Sequence, residues 1–239
     1  MESENLYPSY SSFPLINVVN QKKNSAVSKS YGLIVKCSTT NRCIYVKRKH
    51  SYSLILFLWG NYTPVALVEY ISNIYKNERS IVRSCIANYI SYIEIADAIV
   101  PGTQKYVKDY AYSRIVENRE LILDLLDFMP VKKINRWCWP KGKKEKNETD
   151  LETAKREFLE EVGFNIESVE YTINTTPIKC ECSTNYKKII DTFWTINVEN
   201  EFEVKLVDNN EVANVKWACL EEIKDKIDYR YLEIINNQP

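Results

Sequence analysis

Glycine is scarce in this chain, with five in 239 residues. Phosphate-cradling loops of the P-loop or dinucleotide-binding type need several glycines close together, so those classes are excluded. Histidine is scarcer still: His50 stands alone, and neither Cys–His nucleophilic chemistry nor a histidine-based metal site is supported. No stretch approaches the roughly 18 apolar residues of a membrane-spanning helix. The first residues lack a basic region followed by an apolar run, so no secretory signal is expected and no membrane partner either. Seven cysteines form an odd set, best read as reduced thiols of a cytoplasmic chain. Cys180 and Cys182 are spaced C-x-C, but no second pair accompanies them to complete a zinc site.

The chain has 45% apolar and 27% charged residues, a soluble mixture able to bury a core. Its 32 basic and 32 acidic residues cancel, but unevenly. Residues 1–150 hold 22 Lys+Arg against 14 Asp+Glu, whereas residues 151–239 hold 10 against 18. Such an asymmetry suits a basic face beside an acidic pocket, as a polyanion held at a metal site would need. Scattered surface charge is the plainer reading.

Texture divides the chain. Residues 1–30 are polar, broken by Pro8 and Pro14, and read as a loosely ordered arm. Tyr31–Cys37 and Arg42–Arg48 are β-prone runs around the turn-forming Ser38-Thr-Thr-Asn41, so a hairpin is expected. Residues 53–130 carry apolar residues at helical spacing, for example Leu67, Tyr70, Ile71 and Ile74, then Ile81, Cys85, Ile86 and Tyr89. A helical subdomain inserted into a strand-rich domain (31–52 and 131–239) explains that order. Ordinary helices of one mixed domain remain the alternative. Beyond residue 131, β-prone runs are expected at Arg136–Trp139, Ser168–Asn174, Ile189–Val198 and Val212–Trp217, and a closing amphipathic helix at Leu220–Ile235. Strands alternating with helices imply an α/β sandwich with a mixed sheet.

One helix can be derived in detail. Thr149 and Glu152 form a capping box, Leu151, Ala154, Phe158 and Val162 share one face, and Gly163 supplies the left-handed stop. Opposite the apolar stripe stand Glu157, Glu160 and Glu161, three and four residues apart. Their carboxylates repel one another, which a hard divalent cation with oxygen ligands relieves. A solvated acidic face is the bland alternative. Arg156 is placed to pair backward with Glu148.

The spacing adds more. Gly142, Glu148, Arg156-Glu157, Phe158, Glu160-Glu161, Gly163 and Phe164 fall at every fixed position of the Nudix box, and the chain resembles Nudix hydrolases, which cleave a nucleoside diphosphate linked to another group. The resemblance implies an α/β/α sandwich, with Glu157, Glu160 and Glu161 as ligands of Mg²⁺ or Mn²⁺. Gly142, Glu148, Arg156 and Gly163 would shape the box. Metal-held water would attack phosphorus while a carboxylate takes its proton. Glu211, six residues before Trp217, resembles the distal glutamate of decapping Nudix enzymes and is the first candidate; Glu160 is the second.

Trp137-Cys-Trp-Pro-Lys-Gly-Lys143 resembles the decapping branch, whereas dinucleoside polyphosphate hydrolases usually lack the second lysine and diphosphoinositol polyphosphate hydrolases more often carry Pro-Gly-Gly. The order of hairpin, helical segment and box is similar to that of decapping Nudix proteins of nucleocytoplasmic large DNA viruses, of the African swine fever virus type. That likeness covers the box closely and the helical segment only by length and type. It implies release of m7GDP from capped mRNA, leaving 5′-monophosphate RNA, in the cytoplasm of a host cell. Lys141 and Lys143 would touch the phosphate bridge. Lys47, Arg48 and Lys49, with Arg79, Arg83, Lys105, Lys108, Arg114 and Arg119 of an RNA-binding insertion, would neutralise the RNA body. Tyrosines of the insertion either stack bases or pack helices, and Trp137 and Trp139 are as well suited to a core as to a cap clamp. No stable protein partner is indicated.

Overall fold

The computed structural model describes residues 26–60, 62–130, 137–183, 187–207, 211–227 and 231. Most of the expected N-terminal arm, Arg136 and most of the far end of the expected closing helix lie outside them.

Leu33, Ile34 and Val35 are all fully buried, and a run without alternation belongs to a strand covered on both faces. That strand is β1, Ala26–Cys37, and it starts inside the segment expected to be arm. It lies parallel to β7, Lys187–Val198, in unbroken register from Ala26 opposite Lys187 to Cys37 opposite Val198. β2, Cys43–Arg48, touches β1 only where Lys36 meets Cys43, then diverges to pair with β8, Val212–Ala218, and with β3, Trp137–Cys138. The gap on β1 is filled by the two-residue β4, Lys141–Gly142. β5, Tyr171–Ile173, and β6, Ile178–Ser183, add to β7. Among the described residues these eight strands make one mixed sheet.

Against β1 lies α7, Asp150–Val162. Both halves of its capping box are formed, Ala154, Phe158 and Val162 are buried, and Gly163 ends it at φ 71°. α8 is shorter than its sequence suggests, covering Leu220–Ile223. Tyr31, Leu33, Ile44, Trp139, Phe158, Phe193 and Trp217 belong to one core around the sheet.

Between β2 and β3 the described residues make six helices, α1 Tyr52–Leu58, α2 Pro64–Ser72, α3 Glu78–Ala87, α4 Tyr89–Ile99, α5 Lys105–Glu117 and α6 Arg119–Phe128. Ser51, Thr63 and Asn88 cap α1, α2 and α4 with side-chain oxygens. Their apolar faces build a second core, including Phe57, Leu67, Val82, Tyr92 and Ile122, separate from that of the sheet. Its entrance is pinned by Glu78, fully buried, which accepts from the Ser51 amide (2.7 Å), the Ser51 hydroxyl (2.6 Å) and the Tyr75 amide (2.7 Å).

Candidate active site

The loop between β4 and α7 is organised by Arg156. Its Nε donates to Glu148 Oε1 at 2.6 Å and its Nη2 to the Lys143 carbonyl at 2.9 Å, while Nη1 reaches Glu157 Oε1 and Glu160 Oε2, both at 3.0 Å. Glu148 also accepts from Thr153 Oγ1 (2.9 Å) and the Glu145 amide (3.0 Å). The Arg156 guanidinium first, then these donors, hold the Glu148 carboxyl down at about 2. An anion so strongly preferred keeps the arginine, and with it the loop, in one place.

Gly142 passes directly over Glu157. A Cβ added there would lie 2.0 Å from the Glu157 carboxyl carbon, so any larger side chain would have to push that carboxylate aside. One residue earlier, the Lys141 amide donates to Glu161 Oε2 at 3.0 Å. Glu157 and Glu161 are both buried, whereas Glu160 is turned outward with its side chain 56% exposed. The three expected ligands therefore divide into an inward pair and an outward member.

Burial, the larger cause, pushes the Glu157 carboxyl up against the pull of Arg156, with Glu160 and Glu211 adding repulsion. For Glu161 burial again leads, Arg48 and the Lys141 amide oppose it, and Glu157 and Glu211 reinforce it, giving about 7. Glu211, at the entry to β8, thus makes its charge felt by both inward carboxylates. Its backbone carbonyl accepts from the Lys49 amide at 2.8 Å.

Arg48 belongs to this group and not to a surface basic track. Burial works against its charge, but Cys138, Glu161, Glu211 and Tyr231 around it hold the guanidinium above its ordinary value. The strand register shifts at this point: Lys47 faces Asn214 and Arg48 faces Val212, passing over Ala213. Such a bulge re-aims a side chain. Consecutive basic residues in the sequence gave no sign of it.

Hard carboxylate oxygens in mutual repulsion suit Mg²⁺ or Mn²⁺, and the donor chemistry therefore fits. Glu157 and Glu161, with Glu160 or Glu211, are the residues that would hold the ion, which when bound supplies an activated water and charge neutralisation at phosphorus. Among the described residues no three His, Cys, Asp or Glu side chains converge closely enough to ligate one ion in the present arrangement.

The lysines go to different places. Lys143 is exposed at the loop. Lys47 is half-buried on β2 and Lys49 is exposed just beyond it. Lys141 points inward: its ammonium lies 3.1 Å from Asp191 and 3.2 Å from the Ser30 hydroxyl, committed there and not to a phosphate path. Trp137 and Trp139 are core residues, Trp139 stacking on Tyr45.

In the helical segment most expected RNA contacts already have partners. Arg83 pairs with Asp127, Lys105 with Asp109, Lys108 with Asp97 and Arg114 with Glu117. Arg79 donates to the Leu126 and Met129 carbonyls at the end of α6, and Arg119 is exposed. Residues 53–130 hold 7 Lys+Arg against 9 Asp+Glu, so the basic excess of the first 150 residues lies on either side of the insertion.

Residues 127–237 match the family model for the NUDIX domain. The chain carries a Nudix domain. It is the catalytic domain of the Nudix hydrolases, which act on pyrophosphate bonds. The match begins where the helical segment ends, yet the sheet of this Nudix domain also takes β1 and β2 from before that segment. Comparison with curated proteins found no match. Among solved structures, the chain is similar to an Ap4A hydrolase binary complex from C. elegans (16% identity, 87% of this chain and 90% of that one, TM-score 0.43). It is also similar to the dihydroneopterin triphosphate pyrophosphohydrolase of E. coli (10% identity, 88% and 99%, TM-score 0.42) and a MutT protein from Methanosarcina mazei Go1 (13%, 90% and 99%, TM-score 0.41). Values this low assign no substrate. Among the described residues no helix is long and apolar enough to cross a membrane.

Proposed function

We propose that this Nudix domain removes the cap from messenger RNA, hydrolysing the cap pyrophosphate to m7GDP and 5′-monophosphate RNA, as the viral enzymes it resembles do in the host cytoplasm. The observation that carries this reading is the segment Trp137-Cys-Trp-Pro-Lys-Gly-Lys143, where two core tryptophans lead directly into a loop whose Lys143 and Lys146 are exposed beside the carboxylate site. That run, followed by the box, resembles the decapping branch of the family. It sets cations from the loop next to the acids that would hold a metal, an arrangement suited to a polyanion whose one pyrophosphate bond must be cut. Glu157 and Glu161 would hold the metal, Glu211 would take the proton from water, and Arg48 would balance the carboxylates.

RNA beyond the cap would run along Lys47, Lys49 and Lys143 as well as the insertion, most of whose expected cations already have partners. Contact there is sequence-independent and falls with salt. The test is incubation of cap-labelled RNA, diadenosine tetraphosphate and a diphosphoinositol polyphosphate with Mg²⁺ or Mn²⁺ in parallel. Labelled m7GDP from the capped RNA supports the reading. Turnover confined to either small molecule would replace it with a dinucleoside polyphosphate or diphosphoinositol polyphosphate hydrolase.

A further inference from the structure

Asp191 stands within β7, opposite Ser30 of β1, and is 1% exposed. A buried carboxylate without partners costs several kcal/mol, so such a residue must be paired and hydrogen-bonded. Lys141 Nζ meets Oδ1 at 3.1 Å, the Ser30 hydroxyl donates to the same oxygen, and the Tyr231 hydroxyl donates to Oδ2 at 2.8 Å.

Lys141 connects this cluster to the carboxylate site. Its ammonium sits on Asp191 while its own backbone amide sits on Glu161, so a single residue spans the two. The strand that carries it is two residues long and pressed against β1: opposite Lys141, a Cβ on Gly32 would come within 2.2 Å of the Pro140 carbonyl oxygen. Two residues of ladder fix a strand weakly. The buried ion pair supplies the second point of attachment.

Buried ion pairs are often no more stabilising than well-packed apolar replacements, so stability alone explains this one poorly. We infer that Asp191 is a positioning residue of the site: it anchors Lys141, fixes β4, and so holds Glu161 in the orientation that takes a divalent cation. The inference rests on the proposed function only in treating Glu161 as a metal ligand.

Asp191→Asn keeps one acceptor oxygen for Ser30, lets the Tyr231 hydroxyl turn to accept from the new amide, and removes the charge facing Lys141. Asp191→Asn with Lys141→Met removes both charges. Mn²⁺ titrations followed by electron paramagnetic resonance, with thermal melts beside them, separate positioning from stability. Both variants are expected to bind Mn²⁺ about 10- to 100-fold more weakly, the usual effect of losing a partner behind a ligand. The double variant is expected to recover the wild-type Tm without recovering affinity. Native Mn²⁺ affinity in the double variant, or in Asp191→Asn with a lowered Tm, overturns the inference, as does a wild-type chain that takes up no Mn²⁺. Wild-type protein that binds Mn²⁺ but releases no m7GDP retires decapping and leaves the role of Asp191 intact.

Discussion

Glu161→Gln is expected to make the metal-free protein more stable while silencing it. The native carboxyl titrates at about 7 against an ordinary value of 4.5, chiefly because it is buried. The sign follows from proton linkage. A folded pKa above the unfolded one means that the native state holds the proton more tightly, so the stability this gives is complete below about pH 4.5. It is lost as pH rises through 7, and above that the buried charge weighs on the fold in full. A shift of about 2.5 pH units at 1.36 kcal/mol each sets a ceiling of about 3 kcal/mol. Glutamine stands in for the protonated acid and keeps an oxygen for the Lys141 amide. In chelator at pH 8 the variant should therefore melt higher than wild type, by up to roughly 6–12 °C for a chain of this size. At pH 4.5 the two curves should converge. Adding Mg²⁺ should raise the wild-type Tm and leave that of the variant nearly unchanged, with cap release lost. A variant that melts at or below wild type at pH 8 in chelator would refute the argument that burial strains this carboxylate.

Glu211→Gln should lower kcat by roughly 10²–10⁴-fold with RNA affinity little changed, and should flatten the acidic limb of the pH–rate profile; a loss below about threefold with that limb intact would return the proton to Glu160. Gly142→Ala forces Glu157 aside, and its metal requirement for turnover should rise at least about tenfold, as for other perturbed ligand shells; an unchanged Mg²⁺ dependence would mean that the loop yields instead. Replacing residues 53–130 with a short linker should slow cap release from long RNA more than hydrolysis of a cap dinucleotide, as read by kcat/KM on both substrates; equal losses would make the insertion a structural element only.

What the sequence revealed, and what it concealed, differ in their physics. α7 was legible because everything that defines it is local: the capping box, the apolar stripe and the left-handed glycine all lie within fifteen residues, Thr149 to Gly163. The far end of α8 was not. Its amphipathic pattern runs on, but Ile227 bridges to Trp137 and the Lys226 carbonyl accepts from the Trp137 amide at 3.2 Å, so pairing across the fold overrides propensity. β6 was missed for another reason: Cys180 and Cys182 alternate with Lys179 and Glu181 along a strand, and the pair resembles a chelating motif when read as spacing alone. Arg48 was taken for one of three neighbouring cations because a bulge cannot be read from composition. Asp191 did leave a signal, an acid among Ile189, Ile190 and Phe193, where a charge survives only with buried partners.

The parallel pairing of β1 with β7 has a consequence for how the molecule is made. Ser30 and Asp191 are 161 positions apart, with all six helices of the insertion between them. On the ribosome β1 emerges early, meets β2 only at Lys36, and has no partner along its full length until β7 has followed. Helices joined by short turns close their contacts in sequence and quickly, whereas pairing over such a separation is slow. The helical unit is thus expected to be folded while β1 is still waiting, its apolar face open to other chains or to chaperones. Synthesis rate and chaperone supply would then govern the yield of active protein more than the stability of the finished sheet.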